Sequence, residues 1–135
     1  GLLGSEANAI EGNKRPLSSM TPTIIFKDEK PYLVFGTPGG SRIITTVLQV
    51  ALNVMTHEMN VAQAVNSPRI HHQWLPEVLM IEDGFGADTK ALLKNRGYRL
   101  YPSRTMGSVQ AILMKDGYFY GAADPRRPSA GAVSP

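Results

Sequence analysis

A short apolar run, Tyr32-Leu33-Val34-Phe35, leads into Thr37-Pro38-Gly39-Gly40-Ser41, and behind it apolar residues recur at three- and four-residue steps. The run is rich in β-branched and aromatic residues and reads as a strand. Ile44, Val47, Leu48, Ala51, Val54 and Met55 read as one face of an amphipathic helix over residues 42 to 56, with Ser41 as its N-cap. A strand must therefore turn into a helix across two glycines. Upstream, Thr23-Ile24-Ile25-Phe26 is a second such run, and the polar Lys27-Asp28-Glu29-Lys30 between the two signals a hairpin whose strands are expected to be buried on both faces.

The remaining chain continues the mixture. A short helix is expected from Asn60 through Val65, ended by Asn66-Ser67-Pro68, and a strand over Val78 to Ile81. A helix over Ala87 to Arg96 is closed by Gly97, and strands follow at Tyr98 to Tyr101, Ser108 to Met114 and Tyr118 to Ala122. The last two strands are joined by Asp116-Gly117, a two-residue hairpin turn. Hairpins without regular βαβ alternation favour an α+β fold with a mainly antiparallel sheet covered by helices. Residues 1 to 21 read as a lead-in loop and 125 to 135 as a loose tail, around a single domain that spans residues 1 to 135 and is expected to be incomplete.

Composition removes several classes. The chain has 135 residues, of which 42% are hydrophobic, enough for one core. A net charge of +3, from 14 basic and 11 acidic residues, is too weak a basic excess for nucleic acid, and no aromatic ladder accompanies Lys14-Arg15 or Arg126-Arg127. The absence of cysteine excludes disulfides, thiolate metal sites and a cysteine nucleophile. Ile43 to Met55 is too short and too interrupted by polar residues for a membrane span, which needs about 20 apolar residues. The opening Gly1-Leu2-Leu3-Gly4-Ser5 does not read as a signal peptide.

Two features can carry chemistry. Gly39 and Gly40 sit where a helix begins, so unpaired N–H groups and the positive end of the helix dipole would face any oxygen that approaches. This is the geometry of an anion site or oxyanion hole, although a tight turn that needs φ > 0 would use the same residues. A P-loop is excluded by the spacing. Ser18 and Ser19 precede the hairpin, and strand reversal should return residues just before Thr23 and just after Phe35 to one edge, beside the glycines. Hydroxyls there would suit a substrate with a carboxylate at one end and a reacting carbonyl at the other, unless the serines merely cap a turn. His71 and His72 should point to opposite faces of an extended segment, which disfavours a zinc site, and no metal is expected.

These residues resemble a known family. Asn13-Lys14-Arg15-Pro16-Leu17-Ser18-Ser19-Met20-Thr21-Pro22-Thr23, then Gly36-Thr37-Pro38-Gly39-Gly40-Ser41-Arg42-Ile43-Ile44-Thr45-Thr46, are similar to γ-glutamyltranspeptidase, as are Asn66 to Pro76 and Gly121 to Arg126 in the same order. The resemblance implies part of a four-layer αββα N-terminal-nucleophile hydrolase sandwich. It implies a zymogen that cuts itself into large and small subunits, with this chain as the C-terminal portion of the small one. Ser18 and Ser19 would hold the α-carboxylate end of the γ-glutamyl group, and Gly39 and Gly40 would form the oxyanion hole.

The reaction implied runs from glutathione or another γ-glutamyl compound, through a γ-glutamyl-threonine ester, to water or an amino acid, without a cofactor. None of the threonines here is near Gly1, so the nucleophile is expected upstream and the chain alone is expected to be inactive. The large subunit is the expected partner, and an unpaired strand edge invites self-association of the fragment. Arg69 and Arg126 are expected to pair with buried carboxylates. A periplasmic or extracellular location is implied by the resemblance. A cephalosporin-acylase-like amidohydrolase of the same fold and a non-catalytic interaction fragment are the alternatives.

Overall fold

The structure, a computed structural model, describes residues 6–15 and 20–133. A single 3-10 turn at Glu6–Asn8 precedes the first sheet. Strands β1 (Thr23–Lys27) and β2 (Lys30–Gly36) form the expected hairpin, with Asp28 and Glu29 at φ 51° and 59°. Positive φ at both turn positions gives the type I′ twist that matches paired strands. Helices α1 (Arg42–Met55) and α2 (Val61–Asn66) follow. Asn60 and Gln63 form a capping box at the start of α2, each side chain bonding the other's backbone N–H. Two short strands, β3 (Ile70–His71) and β4 (Leu79–Ile81), then lead through α3 (Ala87–Asn95) to β5 (Leu100–Pro102), β6 (Gln110–Lys115) and β7 (Tyr118–Ala123).

The strands make two sheets. The larger runs β1-β2-β6-β7 and is antiparallel throughout, with Val34 opposite Ile24 on one side and Ile112 on the other. The smaller runs β3-β4-β5, antiparallel between β3 and β4 and parallel between β4 and β5. This is the mixed α+β fold with mainly antiparallel pairing that the hairpin signals predict.

Side chains alternate across the large sheet, and only one face is covered. Leu33, Phe35, Ala111, Leu113 and Ala122 point at the helices and join Val50 and Val54 of α1 and Val61, Ala64 and Val65 of α2 in the core. The opposite face carries Ile24, 55% exposed, with Ile112 beside it across Val34. Phe26, also on β1, is 60% exposed. The expectation that β1 and β2 are buried on both faces is therefore corrected, because the helices of the described chain pack against one face only.

The helix face is corrected as well. α1 buries Ile43, Thr46, Val50 and Val54, whereas Ile44, Leu48, Leu52 and Met55 form an exposed apolar stripe. Of the six residues expected on the buried face, Val54 is in the core with Val47 and Ala51 packed against it, whereas Ile44, Leu48 and Met55 are exposed, so the true face is rotated toward Ile43 and Val50. We expect Ile43→Ala to destabilise the chain by about 2–4 kcal/mol and Ile44→Ala by less than about 0.5. Urea unfolding of the two variants checks this, and equal losses would contradict the assignment of faces.

Candidate functional site

Gly39 and Gly40 lie between β2 and α1 with φ of 151° and 58°. Backbone N–H groups of Arg42 and Ile43 donate to Gly39 O and Gly40 O at 3.2 Å and 3.1 Å, so these two carbonyls are turned into the first helical turn. In a trans peptide the N–H points opposite to the C=O, so the Gly40 N–H is directed away from α1. The Thr37 hydroxyl donates to Pro38 O at 2.8 Å and turns that oxygen inward, which directs the Gly39 N–H outward. Among the described residues, neither N–H has an acceptor within the chain. Two adjacent free donors at the mouth of a helix are what a developing oxyanion requires.

Ser41 occupies the N-cap position, but its side chain makes no cap bond. Its hydroxyl instead donates to Gln73 Oε1 at 2.7 Å. His71 Nε2 meets the same oxygen at 2.8 Å, and His71 Nδ1 lies 2.7 Å from Thr45 Oγ1. The buried His71 thus ties β3 to the start of α1, while His72 faces solvent, as the extended pattern predicts. Ser18 and Ser19 lie outside the described residues. The chain just before β1 can be followed to Thr21 and Pro22, where Thr21 O and Pro22 Cα each come within 3.9 Å of a Cβ built on Gly36. Among the described residues no group of three or more His, Asp or Glu side chains could hold a metal ion.

Behind the glycines stands a charge network that joins distant parts of the chain. Arg69 pairs with Asp124 Oδ2 at 2.8 Å and donates to Met106 O at 2.6 Å and Val65 O at 2.7 Å. Arg126 forks across Glu82, Nε to Oε1 at 2.9 Å and Nη2 to Oε2, and reaches Asp124 Oδ1 at 3.1 Å. Both arginines therefore pair with buried carboxylates, as expected for them. The carboxylates in turn accept backbone N–H groups, Glu82 from Arg69 at 2.9 Å and Met106 at 2.6 Å, Asp124 from Val109 at 2.9 Å and Arg126 at 3.0 Å. Arg126 is the second residue of the segment read as a tail, and its side chain is fixed here by five hydrogen bonds to four residues, Glu82, Val65, Asp124 and Ser67.

Burial is the largest influence on Arg69, Arg126 and Asp124. It lowers the Arg69 pKa, helped by the charge of Arg126 and opposed by Asp124 and Glu82. For Arg126 burial also acts downward, but the bonds to Glu82 and Asp124 outweigh it and the pKa is raised. Burial acts upward on Asp124, yet the N–H groups of Val109 and Arg126 together with Arg69 hold it below the ordinary carboxylate range.

Sequence reasoning named the glycines, both arginines and the histidine pair but missed Thr37, Gly107, Ser108, Glu82 and Asp124. The only local signal was Gly107 set between apolar Met106 and a strand, which marks a position where a side chain has no room.

The family model for gamma-glutamyltranspeptidase matches residues 1–134. The chain belongs to the γ-glutamyltranspeptidase family. It is 56% identical over 127 residues to the glutathione hydrolase proenzyme of Escherichia coli K12, covering 93% of this chain and 22% of that protein. It is 42% identical to the proenzyme of Bacillus subtilis 168, again covering 22% of it.

Among solved structures, a γ-glutamyltranspeptidase mutant from Helicobacter pylori superposes with a TM-score of 0.84 at 55% identity, over 94% of this chain and 71% of that one. The transpeptidase CapD of Bacillus anthracis, at 23% identity and TM-score 0.76, shares the fold. The chain thus spans about a fifth of the length of the curated relatives it matches. Among the described residues no helix is long and apolar enough to cross a membrane.

The network should set the acid stability. Because the folded Asp124 pKa is depressed, its contribution is complete above the unfolded value of about 3.9 and is lost as pH falls through the lower folded value. Asp124→Asn leaves Arg69 without its counter-charge, so we expect a loss of about 3–5 kcal/mol at pH 7 and a flatter stability profile in acid than wild type. Urea unfolding between about pH 2 and pH 7 reads both.

Proposed function

We propose that this chain is the C-terminal portion of the small subunit of a γ-glutamyltransferase and glutathione hydrolase, and that Gly39 and Gly40 are its oxyanion donors. The carrying observation is the pair of outward N–H groups at Gly39 and Gly40, set in a family motif. The threonine hydroxyl that attacks lies in another part of the precursor, a reading supported by the fifth of the relatives' length that this chain spans.

In the proposed reaction that oxygen adds to the γ-glutamyl amide carbonyl, and the carbonyl electron pair moves onto oxygen, where the two N–H groups receive it. Collapse expels the amine with a proton and leaves a γ-glutamyl-threonine ester. Water or an incoming amine then attacks the ester, passes through a second oxyanion in the same place, and releases the threonine. Ser18 and Ser19 hold the α-carboxylate end of the γ-glutamyl group. The precursor divides itself to free its nucleophile, and this chain alone is inactive.

The rest of the precursor is the partner whose second sheet covers the apolar face of the large sheet, completing an αββα sandwich. Exposed Ile24, Phe26 and Ile112 on a domain of this size support that reading. The chain released alone would instead cover the face by self-association. The enzyme works in the periplasm or outside the cell, where the family is typically placed.

The glutamyl reading is preferred over an acylase because the relatives of high identity are named glutathione hydrolase proenzymes. Likeness to the cephalosporin acylase of Bacillus halodurans, at 22% identity, reaches only the fold. The test is hydrolysis of a chromogenic γ-glutamyl anilide by the full-length, self-processed parent. Ser18→Ala with Ser19→Ala is expected to cost on the order of 2 kcal/mol or more of transition-state stabilisation. A processed wild type that ignores the glutamyl anilide would sink the substrate assignment.

A further inference from the structure

The loop that carries Gly39 and Gly40 leans on a strand entry that makes almost no backbone ladder of its own. Between Met106 and Val109 four backbone polar groups go to side chains, while Val109 O accepts from Asp124 N at 3.0 Å. Met106 N donates to Glu82, Met106 O accepts from Arg69, Ser108 N donates to Thr37 Oγ1 at 2.8 Å, and Val109 N donates to Asp124. Three of these four bonds end on the buried charge network. The fourth ends on Thr37, one residue from Pro38 and two from Gly39.

The Thr37 hydroxyl is used on both sides, accepting from Ser108 N and donating to Pro38 O, each at 2.8 Å. A hydroxyl with its acceptor and donor roles both engaged has its hydrogen directed at one oxygen. Gly107 adds a steric condition. A Cβ built there would stand 2.5 Å from Thr37 Oγ1 and 3.4 Å from Pro38 O, so this approach of the two segments excludes a side chain at position 107. Gly107 also has φ 75°, which L side chains rarely adopt. Gly39 is close by, its own built Cβ lying 3.6 Å from Gly107 Cα.

We infer that Thr37 is a positioning residue for the oxyanion hole. Its hydroxyl, anchored to the 106–109 segment, fixes the plane of the Pro38-Gly39 peptide so that the Gly39 N–H stays aimed at the reacting oxygen. The inference rests on the proposed role of Gly39 and Gly40. Its physical content is that a freed Pro38 C=O lets the peptide rotate, and a rotated Gly39 N–H no longer meets the charge that develops in the transition state. The ground-state amide has little charge there, so substrate binding changes less than turnover.

The experiment uses the full-length, self-processed parent with Thr37→Val, which keeps the shape and removes the hydroxyl, and Thr37→Ser, which restores it. Readouts are kcat and KM on a γ-glutamyl anilide, and inhibition by a γ-glutamyl phosphonate, a tetrahedral anionic mimic, set against inhibition by glutamate. We expect Thr37→Val to lower kcat by about tenfold or more while KM stays within about twofold, since outright removal of an oxyanion donor costs about 10²–10³. Phosphonate affinity should fall in step with kcat, glutamate affinity should hold, and Thr37→Ser should recover most of the loss.

If Thr37→Val blocks self-processing, the same comparison is made with the two subunits expressed as separate chains. A Thr37→Val enzyme within about twofold of wild-type kcat overturns the inference alone. Equal losses of phosphonate and glutamate affinity, or no recovery in Thr37→Ser, overturn it in favour of general damage. A wild type that does not turn over the anilide removes the reading of the site and this inference with it.

Discussion

Four charged side chains, Arg69, Glu82, Asp124 and Arg126, hold together the parts of this chain that must meet. Arg69 follows α2, Glu82 follows β4, and Asp124 with Arg126 follows β7, so the network joins both sheets and the helix layer. Burying four ions is expensive, and the geometry offsets that cost with bidentate pairing and backbone donors on each carboxylate. Arg69 Nε is the buried side-chain polar atom left without a partner among the described residues. Breaking one member strands the others, whereas packing a lost methyl group can relax. The network therefore acts less as a source of net stability than as a constraint that admits one arrangement of these segments.

That constraint reaches the glycine loop through the 106–109 segment. Met106 and Val109 are fixed by the network, Ser108 is fixed by Thr37, and Thr37 turns the Pro38 oxygen inward. From the other side Ser41, Gln73 and His71 tie the first turn of α1 to β3. The loop is exposed to solvent at Gly39 and Gly40 yet held at both ends, which suits N–H donors that must wait in place for a transient charge. Under the proposed reading, the apolar faces of the large sheet and of α1 await the rest of a precursor about five times longer.

Much of this order was legible in the sequence, and the failures have physical causes. The hairpin turns at Asp28-Glu29 and Asp116-Gly117, the α2 cap at Asn60 and the Gly39-Gly40 junction were found because local backbone chemistry fixes each of them. The buried face of α1 was found only in part: Val47, Ala51 and Val54 pack on the core as expected, but Ile43 and Ile44 both belong to apolar stripes and only tertiary packing chooses between them. Ser41 was read as a cap from its position, but Gln73, distant in sequence, takes its hydroxyl. Glu82 and Asp124 gave no sign because the arginines that bury them come from distant segments, Arg126 at a separation of 44 from Glu82 and Arg69 from across the fold to Asp124. The motif around Asn13 to Thr23 and Gly36 to Thr46 carried the family, which the comparison with known proteins shows.

The central claim is that the Gly39 and Gly40 N–H groups receive the oxyanion, and a crystal structure of the self-processed parent with a γ-glutamyl phosphonate tests it most directly. The account predicts one phosphonate oxygen roughly 2.7–3.1 Å from both nitrogens, with the Pro38 oxygen still turned toward Thr37. A phosphonate oxygen held by other donors, with both glycine N–H groups facing solvent, would contradict it.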